Sequence, residues 1–310
     1  MKRFLNKIRY QYHLSLLARY IAKPVERLCR VIADQLRMKV WANGGTVNYD
    51  GMRITFPRDV GVSYASSIFW NDVNGFEPDT WRVIKHFLGQ SSMFIDVGSN
   101  IGLYSVLARK VNPDLKILAY EPVPSIFIKN IAFHRSNGYS VENVANIAIG
   151  DSNGTAEIFL PIVKESIEEQ TTATLREDSW QRTKECERYE VTVKTLDQIL
   201  LGIDADERML VKIDVEDFES NVFKGAAGLM RSVRPVFVCE ILPRDHGNQE
   251  TYDVLEAHGY VAFGISGAGL IRFNRDDFFG KRSFTDFLVI PESIAPRLNY
   301  LHHTALASIK

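Results

Sequence analysis

Seven short apolar runs follow one another along the chain between residues 93 and 290, and they restrict the fold more than any other feature. They are Met93–Val97, Ile117–Tyr120, Val144–Ile149, Met209–Val215, Val236–Ile241, Tyr260–Ile265 and Phe287–Ile290. Helical patterns separate several of them, and strands that are apolar throughout are typical of parallel sheets covered on both faces. The sequence therefore predicts an α/β fold with a doubly wound, mostly parallel, seven-stranded sheet.

The rest of the chain divides around this core. Residues 1–45 predict a basic amphipathic helical extension, because apolar residues recur at three- and four-residue steps. Residues 46–92 predict a hairpin with a turn at Asp50-Gly51, followed by a helix. We expect the core domain to cover 93–295, with a β-rich insertion at about 151–208 between the third and fourth strands. Residues 296–310 form a predicted tail.

Charge is unevenly distributed along the chain. The first 40 residues carry a net charge of +8, and the remaining 270 carry −9. The basic extension is compatible with three roles: contact with an anionic membrane surface, contact with a second subunit in a homo-oligomer, or a solvated cover for the sheet edge. Nucleic acid is not an expected partner, because the body is acidic and no N/D-P-P-Y/F/W segment follows the fourth strand.

Cysteine content and hydropathy indicate the compartment. Cys29, Cys186 and Cys239 are widely spaced and include no C-x-x-C pair, so neither a disulfide framework nor a standard zinc site is expected. The longest apolar stretch of the N-terminal region, 14–22, is interrupted by Arg19 and is too short to span a bilayer. We expect a cytoplasmic protein that is soluble or peripheral to the membrane.

The first apolar run ends in Asp96-Val-Gly98-Ser99-Asn100-Ile-Gly102 and continues into a helical pattern. In doubly wound sheets ligands bind at the carboxyl ends of strands, and glycine there lets the backbone approach the ligand. The N–H groups of such a turn suit a carboxylate. With Asp96 beside them they suit S-adenosylmethionine, whose methionine part carries a carboxylate and a sulfonium. An ordinary strand–helix turn remains the alternative.

The second run ends in Glu121-Pro122, 19 residues after Gly102. An acid at this distance is placed to accept hydrogen bonds from the two ribose hydroxyls of a nucleoside. The alternative is a surface glutamate at a strand end. The glycines are spaced G-x-x-x-G and not G-x-G-x-x-G, which disfavours an NAD-dependent oxidoreductase.

Acidic residues are concentrated at the end of the fourth run. Asp214 is a candidate ligand for the cofactor ammonium or the substrate, and Glu216 is a candidate general base for a hydroxyl nucleophile. The alternative is that Glu216, Asp217 and Glu219 are solvated residues of a first helical turn. Glu240, which ends the fifth run, is a further acid expected in the same cleft.

The chain resembles the FkbM-type methyltransferase family. The resemblance rests on six separated segments in the family's order: Phe94–Gly102, Tyr120-Glu-Pro122, Ala148-Ile-Gly-Asp151 with Gly154, Thr195-Leu-Asp197, Leu210–Glu219 and Phe287–Pro291. It implies a Rossmann-like class I methyltransferase that uses S-adenosylmethionine, usually for O-methylation of a hydroxyl on a sugar, polysaccharide or polyketide-like product. The family usually has glycine after Asp-Val-Glu, where this chain has Asp217.

The resemblance, together with the motifs, assigns a set of candidate site residues. The expected cofactor-binding residues are Asp96, Gly98, Ser99, Asn100, Gly102, Glu121, Pro122, Asn146, Ala148 and Asp214. Among them, Asn146 and Ala148 are candidates for contact with the adenine ring. The expected catalytic residues are Asp214, Glu216 and the loop residue His246, one of which removes the acceptor proton.

No metal ligands are assigned from the sequence. A divalent metal bound by the acids of the fourth strand is an alternative way to lower the pKa of a hydroxyl. Two other functions share the same cofactor features: N- or C-methylation of a small molecule, and a non-catalytic binding module that retains the fold.

Overall fold

The computed structural model of the chain describes residues 44–161, 175, 186–242, 247–275 and 284–298. The predicted helices at 4–39 and the residues after 298 lie outside the described residues, so the expectations for them remain predictions. The described residues form two compact units. One consists of residues 44–78 and 128–141, and the other contains the remainder. None of the described helices combines the length and the apolarity needed to cross a membrane.

The first unit is built on the predicted hairpin, which is confirmed. Strands β1 (Gly45–Tyr49) and β2 (Met52–Phe56) are antiparallel. Asp50 and Gly51 form the turn between them, with φ angles of 50° and 78°. Positive φ is favoured by glycine and tolerated by aspartate, which explains the use of this dipeptide in a two-residue turn.

Helix α1 (Val62–Asn71), which the sequence analysis did not predict, follows the hairpin. Hydrogen bonds between distant residues fix the unit. The Tyr49 hydroxyl donates to the Phe76 carbonyl at 2.8 Å. The Asn137 side chain bonds both backbone groups of Thr55, at 3.0 and 2.9 Å, and so satisfies polar groups on β2 that the hairpin leaves unpaired.

The second unit contains two sheets. Its strands in chain order are β3 (Met93–Val97), β4 (Lys116–Tyr120), β5 (Val144–Ala145), β6 (Ala148–Ile149), β7 (Gly154–Pro161), β8 (Cys186–Lys194), β9 (Met209–Ile213), β10 (Val236–Glu240), β11 (Tyr260–Ser266), β12 (Gly269–Phe273) and β13 (Asp286–Pro291). The larger sheet has the order β12-β11-β13-β10-β9-β3-β4-β5, and the smaller has the order β6-β8-β7.

The helices of the second unit connect these strands. They are α2 (Pro78–Leu88), α3 (Leu103–Val111), α4 (Pro124–Ser136), α5 (Leu196–Ile199), α6 (Glu219–Lys224), α7 (Ala227–Ser232), α8 (Gly247–Ala257) and α9 (Ala295–Leu298). Residues of α4 from 128 onward belong to the first unit. The predicted doubly wound α/β class is confirmed, because helices connect parallel strands of the larger sheet.

Strand direction brings several strand ends to one edge of the larger sheet. The neighbours β5, β4, β3, β9 and β10 are all parallel. β13 is antiparallel to β10, and β11 is antiparallel to β13. The carboxyl ends of β3, β4, β9 and β10 therefore lie at the same edge, where ligands bind in folds of this class, and β13 begins there.

The larger sheet differs from the prediction in two respects. It has eight strands and not seven, because Gly269–Phe273 adds an edge strand antiparallel to β11. The predicted third strand, Val144–Ile149, is two strands in different sheets: β5 pairs with β4, and β6 pairs with β8. The two halves of this apolar run belong to different sheets, and hydrophobicity alone does not show where one strand ends and the next begins.

The helical pattern at Ser220–Met230 predicts one helix, which the structure divides into α6 and α7. A Cβ atom added to Gly225 would lie 1.9 Å from the Gly150 carbonyl oxygen, so the chain passes too close to another loop for a side chain here. The Asp197 carboxylate accepts hydrogen bonds from the N–H groups of Gly228 and Leu229, both at 2.8 Å. Asp197 therefore caps α7, which gives the Thr195-Leu-Asp197 motif a structural role.

Candidate active site

The glycine turn joins the ends of three strands. The N–H groups of Gly98 and Ser99 donate to the Tyr120 carbonyl at 3.0 and 2.9 Å, which links the turn to β4. Gly98 has a φ of 75°, and a Cβ there would lie 1.8 Å from the Asp214 carbonyl oxygen beyond β9. Glycine is therefore required for the close approach of two strand ends. Gly102, at φ 84°, starts α3.

Glu121 is buried at the end of β4 and is bonded to the turn. Its carboxylate accepts hydrogen bonds from the N–H groups of Asn100 and Val123, at 2.9 and 2.8 Å. Burial raises the pKa of Glu121 to about 7, and these two hydrogen bonds oppose the rise. The structure thus places Glu121 beside the glycine turn, as the 19-residue spacing predicted. Its role as a ribose ligand remains a prediction.

Asp96 lies within β3 and is 1% exposed. The Ser105 hydroxyl donates to its Oδ2 at 2.6 Å, whereas its buried Oδ1 has no hydrogen-bond partner among the described residues. Burial raises the pKa of Asp96, and the Lys212 charge lowers it. A buried carboxylate oxygen without a partner is costly, so Asp96 offers an acceptor that a ligand donor would satisfy.

Asn146 and Ala148 take different positions. The Asn146 amide donates to the carbonyls of Glu121 and Pro122, at 2.7 and 2.8 Å, and so holds the loop after β4. Ala148 is 2% exposed in the core beside the smaller sheet. Both residues follow the end of β5 in the chain, and their contact with adenine remains a prediction. His246 lies outside the described residues.

Three carboxyl groups meet at the ends of β9 and β10. Oxygens of Asp214, Glu216 and Glu240 lie within 4.8 Å of one another. Burial raises the pKa of Glu240 to about 9, and repulsion by Asp214, Asp286 and Glu216 adds to the rise. A side-chain hydrogen bond that joins Glu240 to Asp214 also raises the pKa of Glu240. The group is close enough to bind a cation, but acidic residues alone do not assign a metal.

Two residues of this region, Lys212 and Asp286, do not stand out in the sequence. Lys212 donates to Asp214 at 2.8 Å and is 6% exposed. Asp286 lies opposite Glu240 in the β10–β13 register and accepts a hydrogen bond from the Thr80 hydroxyl. Lys212 precedes Asp214 by two positions on one strand, and this spacing could have indicated a shared face. Asp286 requires knowledge of the antiparallel pairing.

The loop after β9 has an unusual backbone. Glu216 and Asp217 have φ angles of 51° and 80°, in the left-handed region that favours glycine. The alternative interpretation, that these acids are solvated, does not hold for Asp217 and Glu219, which are 7% and 5% exposed. The Glu219 carboxylate accepts the Asp217 N–H at 3.1 Å, and burial raises the pKa of Glu219 to about 8. Tertiary packing overrides the usual exposure of a first helical turn.

Substitution of glycine for Asp217 is expected to stabilise the protein by about 1 kcal/mol, because it removes both left-handed strain and a buried charge. Urea unfolding of Asp217→Gly and Asp217→Asn separates the two causes. The Asn variant keeps the backbone strain and removes only the charge. A Gly variant less stable than the wild type would show that contacts of the Asp217 side chain outweigh the strain.

The comparison with known families identifies the chain. Residues 96–262, more than half of the chain, match the methyltransferase FkbM domain. The chain belongs to the FkbM methyltransferase family. The match includes the glycine turn, Glu121, the acids of β9 and Glu240.

Two relatives of this FkbM-family chain are fungal methyltransferases. Methyltransferase sdnD of Sordaria araneosa is 29% identical over 161 residues, which cover 44% of this chain and 61% of the relative. Methyltransferase 1 of Beauveria bassiana is 28% identical over 151 residues, which cover 43% and 58%. The chain therefore spans about three fifths of the length of these relatives.

A solved structure of an FkbM methyltransferase from Methylobacillus flagellatus is similar at 15% identity. The similarity covers 64% of this chain and 43% of that one, with a TM-score of 0.37. Family membership rests on the matched FkbM domain and not on this low score.

Proposed function

We propose that the chain transfers the methyl group of S-adenosylmethionine to a hydroxyl group of a sugar, polysaccharide or related natural product. The observation that carries the proposal is the convergence of a glycine turn, a buried glutamate and three carboxyl groups at one edge of the sheet. The first two suit the cofactor, and the third suits removal of a proton from the acceptor.

The residues present fit S-adenosylmethionine. Gly98 keeps the turn free of a side chain, and the buried Oδ1 of Asp96 has no partner among the described residues. Glu121 would bind the ribose hydroxyls, while Asp96 and the turn would bind the methionine part. When bound, the cofactor supplies a methyl group already activated by its sulfonium charge.

The chain itself must orient the acceptor oxygen and take its proton. Asp214, Glu216 and Glu240 form a cluster of carboxyl groups that suits this task, and a part for His246 stays a prediction. Because the pKa of Glu240 is raised to about 9, Glu240 can take the proton of the acceptor oxygen once it has lost its own. Because a hydroxyl is a weak nucleophile until its proton is removed, such a cluster favours O-methylation over methylation of a neutral amine.

Mass spectrometry of candidate glycans incubated with the protein and methyl-labelled cofactor tests the proposal. We expect a labelled methyl ether and a rate that climbs with pH toward about 9, because Glu240 must lose its proton to act as a base. Glu240→Gln should lower the rate at least about 100-fold and abolish that climb, with binding of S-adenosylhomocysteine retained.

Each other outcome has a defined meaning. Label on nitrogen or carbon would replace the proposal with N- or C-methylation. Calorimetry showing no binding of S-adenosylhomocysteine would indicate a non-catalytic module. Loss of activity in EDTA that returns with Mg²⁺ would assign proton removal to a metal.

Contact of residues 1–40 with a membrane or a second copy remains a prediction, tested by vesicle sedimentation and by light scattering.

A further inference from the structure

Lys212 places a buried positive charge beside the acidic cluster. It lies in β9, two residues before Asp214, and its ammonium lies 2.8 Å from the Asp214 carboxylate. The same ammonium lies 4.8 Å from the centre of the Tyr104 ring, which is itself buried. The lysine is therefore held from two sides, by an ion pair and by an aromatic face.

The charge of Lys212 reaches acids on two further strands. Lys212 is the register partner of Asp96 on β3, and its charge lowers the pKa of both Asp96 and Asp286 against the effect of burial. Lys212 thus opposes carboxyl groups from β3, β9 and β13 together. A buried lysine without such partners would be very costly, and these acids would repel one another without the lysine.

Asp214 is the member of the ion pair that remains accessible. Its side chain is 31% exposed, whereas that of Lys212 is 7% exposed. The Oδ2 atom of Asp214 accepts the hydrogen bond from Lys212, and the same carboxyl group is hydrogen-bonded with Glu240. The orientation of the exposed part is consequently set by a residue that solvent scarcely reaches.

We propose that Lys212 is a positioning residue, whose ammonium holds the Asp214 carboxylate in the orientation needed to receive the acceptor. This inference rests on the proposed function of the acidic cluster as the base. Lys212 contacts neither cofactor nor acceptor in this role. It acts through Asp214 and through the balance of charge in the cluster.

The test compares Lys212→Met with Lys212→Arg in the full chain. Methionine keeps most of the apolar stem and removes the charge, and arginine keeps the charge. Lys116→Met, at an exposed lysine of β4 in the same sheet, is the matched control. The rate is measured with the acceptor that the mass spectrometry experiment finds. We expect Lys212→Met to lower kcat about 10- to 100-fold and to change KM less, with partial recovery in Lys212→Arg.

The pH profile separates positioning from packing. Removal of the Lys212 ammonium raises the pKa of the remaining acids. The increase of the rate with pH should therefore occur about one pH unit higher. The groups that face Lys212 or the cluster are Asp79, Asp96, Tyr104, Asp214, Glu216, Glu240 and Asp286. If the role of Lys212 were purely structural, Lys212→Met would lower thermal stability and leave the pH profile of the rate unchanged. That result would overturn the proposal.

A titration tests the same inference without turnover. Carbon-13 NMR of the cluster carboxyl groups should show the pKa of Glu240 raised further in Lys212→Met and unchanged from the wild type in Lys116→Met. If Lys212→Met does not fold, Tyr104→Leu removes only the aromatic support and should shift the profile less, in the same direction. Lys212→Arg keeps the charge and should leave the profile nearly in place. An unchanged profile in Tyr104→Leu would then overturn the inference. N-methylation by the wild type would refute the proposed function alone.

Discussion

Replacement of Gly98 by alanine is expected to lower the free energy of unfolding more than a glycine-to-alanine change at any other glycine of the described residues. The new Cβ would lie 1.8 Å from the Asp214 carbonyl oxygen and 2.8 Å from its carbon, and Gly98 already has a φ of 75°. Backbone atoms cannot move aside as a flexible side chain does, so the ends of β3 and β9 must separate. We expect a loss of at least about 3 kcal/mol in the free energy of unfolding, measured in urea.

Gly202 provides the matched control for Gly98. Its φ is 79°, yet a Cβ there would meet nothing within 4 Å. Gly202→Ala therefore carries only the cost of left-handed backbone, about 1 kcal/mol. The Gly98 variant should also bind S-adenosylhomocysteine at least about 100-fold more weakly, a loss of about 3 kcal/mol. Equal losses of stability in the two variants would show that close approach of the strands is not what requires glycine.

Replacement of Glu121 by alanine is expected to lower the affinity for S-adenosylhomocysteine about 100-fold or more. The substitution removes the proposed ribose ligand and leaves the buried N–H groups of Asn100 and Val123 without their acceptor, at about 1–3 kcal/mol each. The glycine turn would then keep its backbone bonds to Tyr120 and lose the bond from the Asn100 N–H to Glu121. Isothermal calorimetry measures the affinity, and urea unfolding measures the accompanying loss of stability.

The pH dependence of the affinity for S-adenosylhomocysteine provides a control for the prediction about Glu121. A carboxylate accepts hydroxyl hydrogen bonds better than a carboxylic acid does, and the pKa of Glu121 is about 7. Affinity should therefore rise as pH increases from about 6 to about 8. Glu121→Gln should remove the part of the rise due to this group. Glu190→Ala, at an exposed glutamate of β8, should change neither affinity nor its pH dependence. Full affinity in Glu121→Ala would refute the assignment.

Short-range sequence patterns were enough to predict most of the strands and turns around the candidate site. The apolar run Met93–Val97 and the glycine turn after it lie where predicted, because an apolar strand followed by glycine leaves the chain few conformations. The hairpin turn at Asp50-Gly51 is equally local. Glu121 also follows from the sequence, since its distance from Gly102 is set by one helix and one strand.

Predictions failed where a residue's surroundings come from distant segments. Val144–Ile149 reads as one strand, but its two halves pair with β4 and β8. Glu219 reads as a solvated residue of a first helical turn, yet the fold buries it. In both cases the local pattern is compatible with two environments, and only the packing selects one of them.

The sequence by itself determined the fold class, the glycine turn, Glu121 and the presence of acids at the ends of the fourth and fifth strands. Each depends on periodicity and spacing within a few tens of residues. Only the tertiary structure decided that Glu240 bonds to Asp214, that Lys212 neutralises part of the cluster, and that Asp286 joins it. The physical reason is that charge, burial and hydrogen bonding depend on strand order and register, which bring residues of β10 and β13 to the end of β9.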